Sequence, residues 1–399
     1  MASTGLELFC SSEQLALSAS GRGWLTSLRH PLNGRSTGPN QDCAMVSSFP
    51  ILRSESAQAE RRRTRVAIVG YGYWGPNLAR NFAENLESEL AAICDASPAR
   101  LSVAHAAHPW TRLTADASEV FADPAIDAVV IATPPETHRA LAIAALEGGK
   151  HVLVEKPLAT SVADAQEMLD AAERCNRKLL VDHTFLFTGA VRRMKDYIDA
   201  GELGDIYYFD STRINLGLFQ SHTNVLWDLA PHDISILLHL IAAPVRRVAA
   251  VGASHVNTTV ENIAYLTMQF DGPLLAHCHV NWLAPVKIRK TIIGGSRKML
   301  VFDDMEPSEK VKLYDSGAHL CAKDEDVYRS LVEYRTGDVL VPRLDKTEAL
   351  AAECQNVVRC FRDDEPPLSD GALGLEVVRV LEAAERSLRS GGMPVEVLH

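Results

Sequence analysis

The stretch RVAIVGYGYWGPNLARNF, residues 65–82, decides the fold. Val66 to Val69 is a short apolar run that reads as a buried parallel strand. Pro76 to Glu84 continues as a helix, with Leu78 and Phe82 four apart on one face. Between them, Gly70-x-Gly72-x-x-Gly75 turns the chain. Such a spacing arises by chance in a chain with 24 glycines, so the flanking elements carry the argument. A strand, a glycine turn and a helix N-terminus make an anion site, because backbone N–H groups and the helix dipole face one point. A second strand, Leu90 to Cys94, ends at Asp95, twenty residues beyond Gly75. A carboxylate there accepts hydrogen bonds from an adenosine ribose and repels a 2′-phosphate, so NAD is the expected cofactor and NADP the less favoured one. Ser97 and Arg100 lie close enough in sequence to soften that preference.

A chain of 399 residues has length for two domains with buried cores. With 47% apolar and 23% charged residues it reads as a soluble globular protein. A formal charge of −11 argues against a nucleic-acid partner, which needs a basic face. The most apolar stretch, Ile234 to Ala243, is too short to span a bilayer and is interrupted by Ser235 and His239. Eight cysteines are scattered with no C-x-x-C pair, and Cys94 and Cys278 fall in predicted strands as small core residues. This pattern points to a reducing cytoplasm, with no disulfide framework and no metal site.

Residues 1–63 are rich in Ser, Gly and Arg, lack periodicity and close on AERRRTR, so a disordered extension is expected there. From 64 to 184 strands and helices alternate, as in a doubly wound parallel sheet of the Rossmann type. Its later strands are Asp127 to Ala132, Lys150 to Val154 and Lys178 to Asp182. The character changes near Gly201–Gly204. Within 185–399 six strands of mostly alternating pattern predict a large open, mainly antiparallel sheet in an α+β domain. Helices are expected at Ala230–Ile241, Lys346–Phe361 and Gly374–Arg389, the last two able to pack back on the first domain.

Ligands of open parallel sheets bind outside the carboxyl ends of the strands. The glycine turn, Asp95, Thr133-Pro134-Pro135 and Glu155-Lys156-Pro157 all fall there. Lys156, just past an apolar strand and stiffened by Pro157, is either a held cation that stabilises an alkoxide or a surface lysine paired with Glu155. In NVLWDLAPHDISILLHL, residues 224–240, Asp228 and His232 are four apart and share a helix face. A carboxylate beside an imidazole favours its charged form and fixes it for general-base work. Asp228 as a helix cap and His232 as a core histidine is the plainer alternative.

These segments together, with GYWGPNLARNF, ATPPETHRALAIAALEGGKHVLVEKPLA, GELGDIYYFDSTR and WDLAPHDISIL, resemble the Gfo/Idh/MocA oxidoreductases from about Arg65 onward. The resemblance implies a Rossmann domain followed by an α+β domain whose open sheet mediates homodimers or homotetramers. It implies hydride transfer between a sugar or cyclitol carbon and nicotinamide. By position, Lys156, Asp228 and His232 match the catalytic residues, with His232 the proton acceptor and Asp228 orienting it. Tyr73, Trp74, His138 and Glu155 join Gly70, Gly72, Gly75, Asp95, Thr133, Pro134, Pro135 and Lys156 as cofactor contacts. His183, Arg213 and Asn215 are candidate substrate residues. Segments 224–237 and 279–295 resemble the branch acting on nucleotide-linked sugars, and Arg213, Lys287, Arg289 and Lys290 offer cations for a diphosphate. An NAD-dependent glycosidase or dehydratase, or a non-catalytic sensor of NAD or sugar, is the alternative on the same fold.

Overall fold

The computed structural model describes residues 62–217, 223–256, 259–321 and 331–399. The expected N-terminal extension therefore lies outside the described residues, save for Arg62 and Arg63. The first half runs β1 (Thr64–Val69), α1 (Gly75–Glu84), β2 (Ser88–Cys94), α2 (Pro98–Ala107), β3 (Arg112–Thr114), α3 (Ala117–Ala122), β4 (Ala128–Ile131), α4 (His138–Glu147), β5 (His151–Glu155), α5 (Val162–Arg174) and β6 (Leu179–Asp182). Its six strands are parallel in the order β3-β2-β1-β4-β5-β6. All residues of β4 and β6 are buried, as expected of central strands covered by helices on both faces. The order reverses between β1 and β4, which opens a crevice at their carboxyl ends. β3, only three residues long, is an edge strand that hydrophobic patterning misses.

The second half continues with α6 (Gly189–Asp199), β7 (Ile206–Leu216), α7 (Val225–Ile241), β8 (Arg247–Ala253), β9 (Ile263–Gln269), β10 (Leu275–Asn281), β11 (Leu283–Gly295), β12 (Met299–Asp303), β13 (Val311–Tyr314), β14 (Gly317–Cys321), β15 (Leu331–Arg335), β16 (Val339–Leu340), α8 (Ala349–Asp363), α9 (Gly371–Arg389) and β17 (Val395–Glu396). Nine of these strands form one sheet, β16-β13-β12-β11-β7-β10-β9-β8-β17. The sheet is mixed, because β7 and β10 pair in parallel while every other neighbouring pair is antiparallel. Strand β10 alternates buried and open residues, with Ala276, Cys278 and Val280 turned into the core. Helix α6 escapes sequence patterning because Arg192, Arg193, Lys195 and Asp196 crowd a short apolar stripe of Ala190, Val191 and Met194.

The last helices join the two sheets. Leu375 and Val378 of α9 enter the core beside β5 and β6, while Val380, Leu381 and Ala384 enter the core under the nine-stranded sheet. Gly374 allows this crossing: a Cβ there would meet Val181 Cγ2 at 2.6 Å. Helix α8 covers the opposite face of the parallel sheet, where Leu350, Cys354 and Val358 pack with Val66, Ile68 and Leu180. Cys94, Cys278, Cys354 and Cys360 are buried free thiols. Truncating Leu381, which is fully buried at this joint, is expected to destabilise the fold by about 2–5 kcal/mol through lost apolar burial and a residual cavity. Urea unfolding of Leu381→Ala against the native chain measures it.

Candidate active site

A cavity of about 1230 Å³ opens at the carboxyl ends of β1, β4 and β5 and extends past α7 to α9. Each glycine of the turn has its own reason there. Gly70 has a φ of 100°, and a Cβ on it would sit 2.6 Å from the Ala132 carbonyl oxygen. Gly75 packs so closely that a Cβ would fall 2.2 Å from the Gly70 carbonyl oxygen. Gly72 lines the cavity with nothing within 4 Å of its missing Cβ, which leaves backbone open to a ligand. Helix α1 begins here without a side-chain cap, as an anion site requires.

Tyr73 and Trp74 line the same end and are 80% and 40% exposed, an unusual cost for two large aromatics unless a ligand covers them. Thr133, Pro134, Pro135 and Glu155 also line it. Asp95 accepts from the Tyr71 N–H (2.7 Å) and the Ser97 N–H (2.8 Å), so its carboxylate ties the glycine turn to the end of β2. This crevice fits a dinucleotide: an uncapped helix end, an open glycine and two exposed rings stand beside a carboxylate. His138 does not belong to it. It is fully buried behind the loop, its ring nitrogens bonded to the Thr133 and Pro157 carbonyls, and it holds the loop in place without facing the cavity.

The second half of the cavity is built on α7. Asn224 caps the helix, its side-chain oxygen accepting from the Trp227 N–H, and so sets the first turn in which Asp228 lies. Lys156 Nζ donates to the Asp228 carbonyl at 3.1 Å and stands 3.7 Å from Asp228 Oδ1. Asp228 Oδ2 accepts from Trp282 Nε1 at 2.9 Å. His232 lines the cavity one turn on, its ring edge-on to Phe185 at 5.0 Å, and its Nδ1 is buried with no hydrogen-bond partner.

Asp228 and His232 share a face of α7 without bonding each other. Asp228 was expected to bond His232 and favour its charged form, but its carboxylate is turned to Trp282 and Lys156. Burial, followed by the charges of Lys156, Arg213 and Arg289, holds the His232 imidazole well below its ordinary value and therefore neutral. Sharing a helix face is necessary for a bond but does not make one.

Two candidate substrate residues also move behind the wall. His183 is 1% exposed, paired through Nδ1 with Ser369 Oγ at 2.9 Å, and burial and the Lys156 charge push it down to about 3. Arg213 is buried, giving Nε to Asp233 Oδ2 at 2.7 Å and Nη2 to Oδ1 at 3.1 Å. Asn215, by contrast, lines the cavity. Sequence reading missed Trp282 and the polar face of α9, from which Glu382, Glu385, Arg386 and Arg389 also line the cavity. Trp282 sits at the end of an alternating strand and gives no signal of its own, whereas the charged stripe on α9 reads as a solvated face. Among the described residues no group of three His, Cys, Asp or Glu could hold a metal ion, and no helix is long and apolar enough to cross a membrane.

Residues 64–183 match the oxidoreductase family with an NAD-binding Rossmann fold, and residues 191–301 match the GFO/IDH/MocA C-terminal domain. The chain belongs to the GFO/IDH/MocA oxidoreductases. It is an NAD-binding dehydrogenase acting on CH–OH groups. An uncharacterized oxidoreductase of Escherichia coli strain K12, YdgJ, is 29% identical over 62% of this chain and 73% of its own. The scyllo-inositol 2-dehydrogenase (NAD(+)) of Bacillus subtilis strain 168 is 26% identical over 84% of this chain and 96% of its own. In structure, the WlbA dehydrogenase of Bordetella pertussis, solved with NADH and UDP-GlcNAcA, superposes with a TM-score of 0.71 at 22% identity. That match covers 85% of this chain and 99% of the other, and it shares the fold.

The depressed basicity of His232 is open to direct measurement. Protonation of this imidazole should occur well below the ordinary histidine value of ~6.5, so the ring stays neutral as pH falls through 6.5. An NMR titration of the histidine ring protons, with His232→Gln to assign the signal, checks this. A His232 midpoint at 6.5 would contradict the burial described above.

Proposed function

We propose that this protein oxidises a secondary hydroxyl of a sugar, with His232 as the base that takes the hydroxyl proton. One observation carries the reading. Lys156, just after β5, and Asp228 and His232 of α7 line one cavity with Gly72 of the glycine turn. Bound NAD supplies the hydride acceptor. A neutral imidazole can accept a proton at once, and its depressed basicity suits it to release that proton afterwards. The Lys156 ammonium, held by the Asp228 carbonyl, stabilises the oxygen on which charge develops. Asp228 positions Lys156, and Trp282 fixes Asp228. Asn215, which lines the same cavity, is a further residue for binding the sugar.

The substrate in this reading is a nucleotide-linked sugar. What supports it is the lining, in which Asn215, Arg289, Arg386 and Arg389 stand in the same cavity as the glycine turn. The four strand cations support it less than their count suggests. Arg213 is buried against Asp233, and Lys287 and Lys290 are exposed outside the cavity lining, which leaves Arg289. The nine-stranded sheet is the proposed surface for a homodimer or homotetramer, with Tyr208, Tyr265 and Leu275 exposed on it.

His232→Ala and Lys156→Ala are each expected to cut turnover by at least ~10², the scale of losing a positioned base or an oxyanion group. Cofactor affinity should change far less in His232→Ala. Steady-state kinetics over a panel of sugars and nucleotide sugars tests the roles, and near-native turnover in either variant removes that residue from the mechanism. NAD is expected to bind more tightly than NADP, and Asp95→Ala to narrow the gap. Calorimetry with both cofactors decides it, since equal or tighter NADP binding by the native chain refutes the assignment.

A further inference from the structure

Of the cations on the nine-stranded sheet, Arg289 on β11 is the one that lines the cavity, and its own bonds leave it underused. Nη1 reaches Asp304 Oδ2 at 3.3 Å, a long contact. Asp304 is held more tightly by Lys310, whose Nζ lies 2.8 Å from Oδ1 and 2.6 Å from the Asp304 carbonyl. Arg289 Nε is buried without a partner. Nη2 takes part in none of these bonds. A guanidinium offers five N–H donors, and a half-buried one left with a single long bond is costly unless something else completes it.

The surroundings do not supply that partner. Asp233, the other nearby carboxylate, is engaged by Arg213 on two atoms. In these ion pairs four cations, Lys156, Arg213, Arg289 and Lys310, meet three carboxylates, Asp228, Asp233 and Asp304, because Arg289 and Lys310 share Asp304. On α9, Glu382 and Glu385 balance Arg386 and Arg389. The surplus thus sits on the sheet side of the cavity. Its position is fixed by Phe185, whose ring centre lies 5.5 Å from the Arg289 guanidinium carbon and 5.0 Å from the His232 ring. Burial and the Arg213 charge push the Arg289 guanidinium below its ordinary value, which an anion at the open side would relieve.

We propose that Arg289 binds an anionic group, a carboxylate or a phosphate, carried by the sugar close to the hydroxyl that is oxidised. The inference rests on the reading of this cavity as the substrate site. It adds that the substrate is acidic at the reacting ring, beyond any charge at the nucleotide end. Fork-shaped bonding to Nη2 and Nη1 would select such a group over a neutral hydroxymethyl. A charge-assisted pair in this setting corresponds to about tenfold to a hundredfold in affinity.

The full-length, NAD-loaded protein is titrated by calorimetry with D-glucuronate, D-glucose and inorganic phosphate, in the native form and as Arg289→Gln and Arg289→Lys. Glucuronate should bind at least tenfold more tightly than glucose, and Arg289→Gln should erase the difference. Arg289→Lys should keep part of it, and it takes over the comparison if Arg289→Gln melts early or loses NAD. Tighter binding of phosphate than of glucuronate would identify the group as a phosphate, and the reverse as a carboxylate. No binding of either anion by the native protein, equal binding of glucose, or a preference that survives Arg289→Gln overturns the proposal. His232→Ala should retain anion binding, so failure of the catalytic reading and failure of this one give different results.

Discussion

Lys156 Nζ donates to the backbone carbonyl of Asp228, and that bond ties the end of a strand in one sheet to the first turn of a helix under the other. The main-chain acceptor matters because a carbonyl fixed in a helix cannot swing away as a carboxylate can. The Asp228 side chain is fixed in turn by the Trp282 indole from the end of β10. The ammonium is therefore placed by three elements that meet only in the folded chain.

Charge explains why the imidazole beside it stays neutral. His232 lies near Lys156, Arg213 and Arg289, and burial and these cations act in the same direction on it. Arg213 is itself a buried cation, tolerable because Asp233 accepts two bonds and the Phe185 ring lies 4.4 Å beneath its guanidinium. A carboxylate bonded directly to His232 would cancel this field. Turning Asp228 toward Lys156 preserves it, and the proposed base keeps its lone pair.

The fold was legible in the sequence wherever local pattern and burial agree. The parallel strands are continuous apolar runs because both of their faces are covered, and the glycine turn is a backbone requirement that no side chain could meet. The cavity residues on either side of the crevice were legible for the same reason, since Lys156 follows a strand end and His232 sits on an apolar helix. What a pattern cannot show is which way a side chain turns once it is placed. His138 and His183 sit in segments that border the crevice, yet both point into the interior. Arg213 alternates correctly on β7 but faces the core, where Asp233 waits twenty residues further along the chain. Strands β16 and β17, of two residues each, exist through pairing alone and carry no periodicity to read.

Behind Lys156 lies a cluster of buried carboxyl groups. Glu155 and Asp182 lie in register on β5 and β6, and Glu353 of α8 faces them, all three carboxyl groups buried. Asp182 accepts from the Thr184 hydroxyl, while Asp182 Oδ2 and both Glu353 oxygens have no donor from the protein. Burial, with Asp182 next, raises both Glu155 and Glu353 well above the ordinary carboxyl range, so these two side chains hold protons. A protonated carboxyl is itself a donor, which supplies the partners that the unmatched oxygens lack. With Glu155 and Glu353 protonated, less negative charge stands behind the Lys156 ammonium to compete with Asp228 and with whatever oxygen enters from the open side.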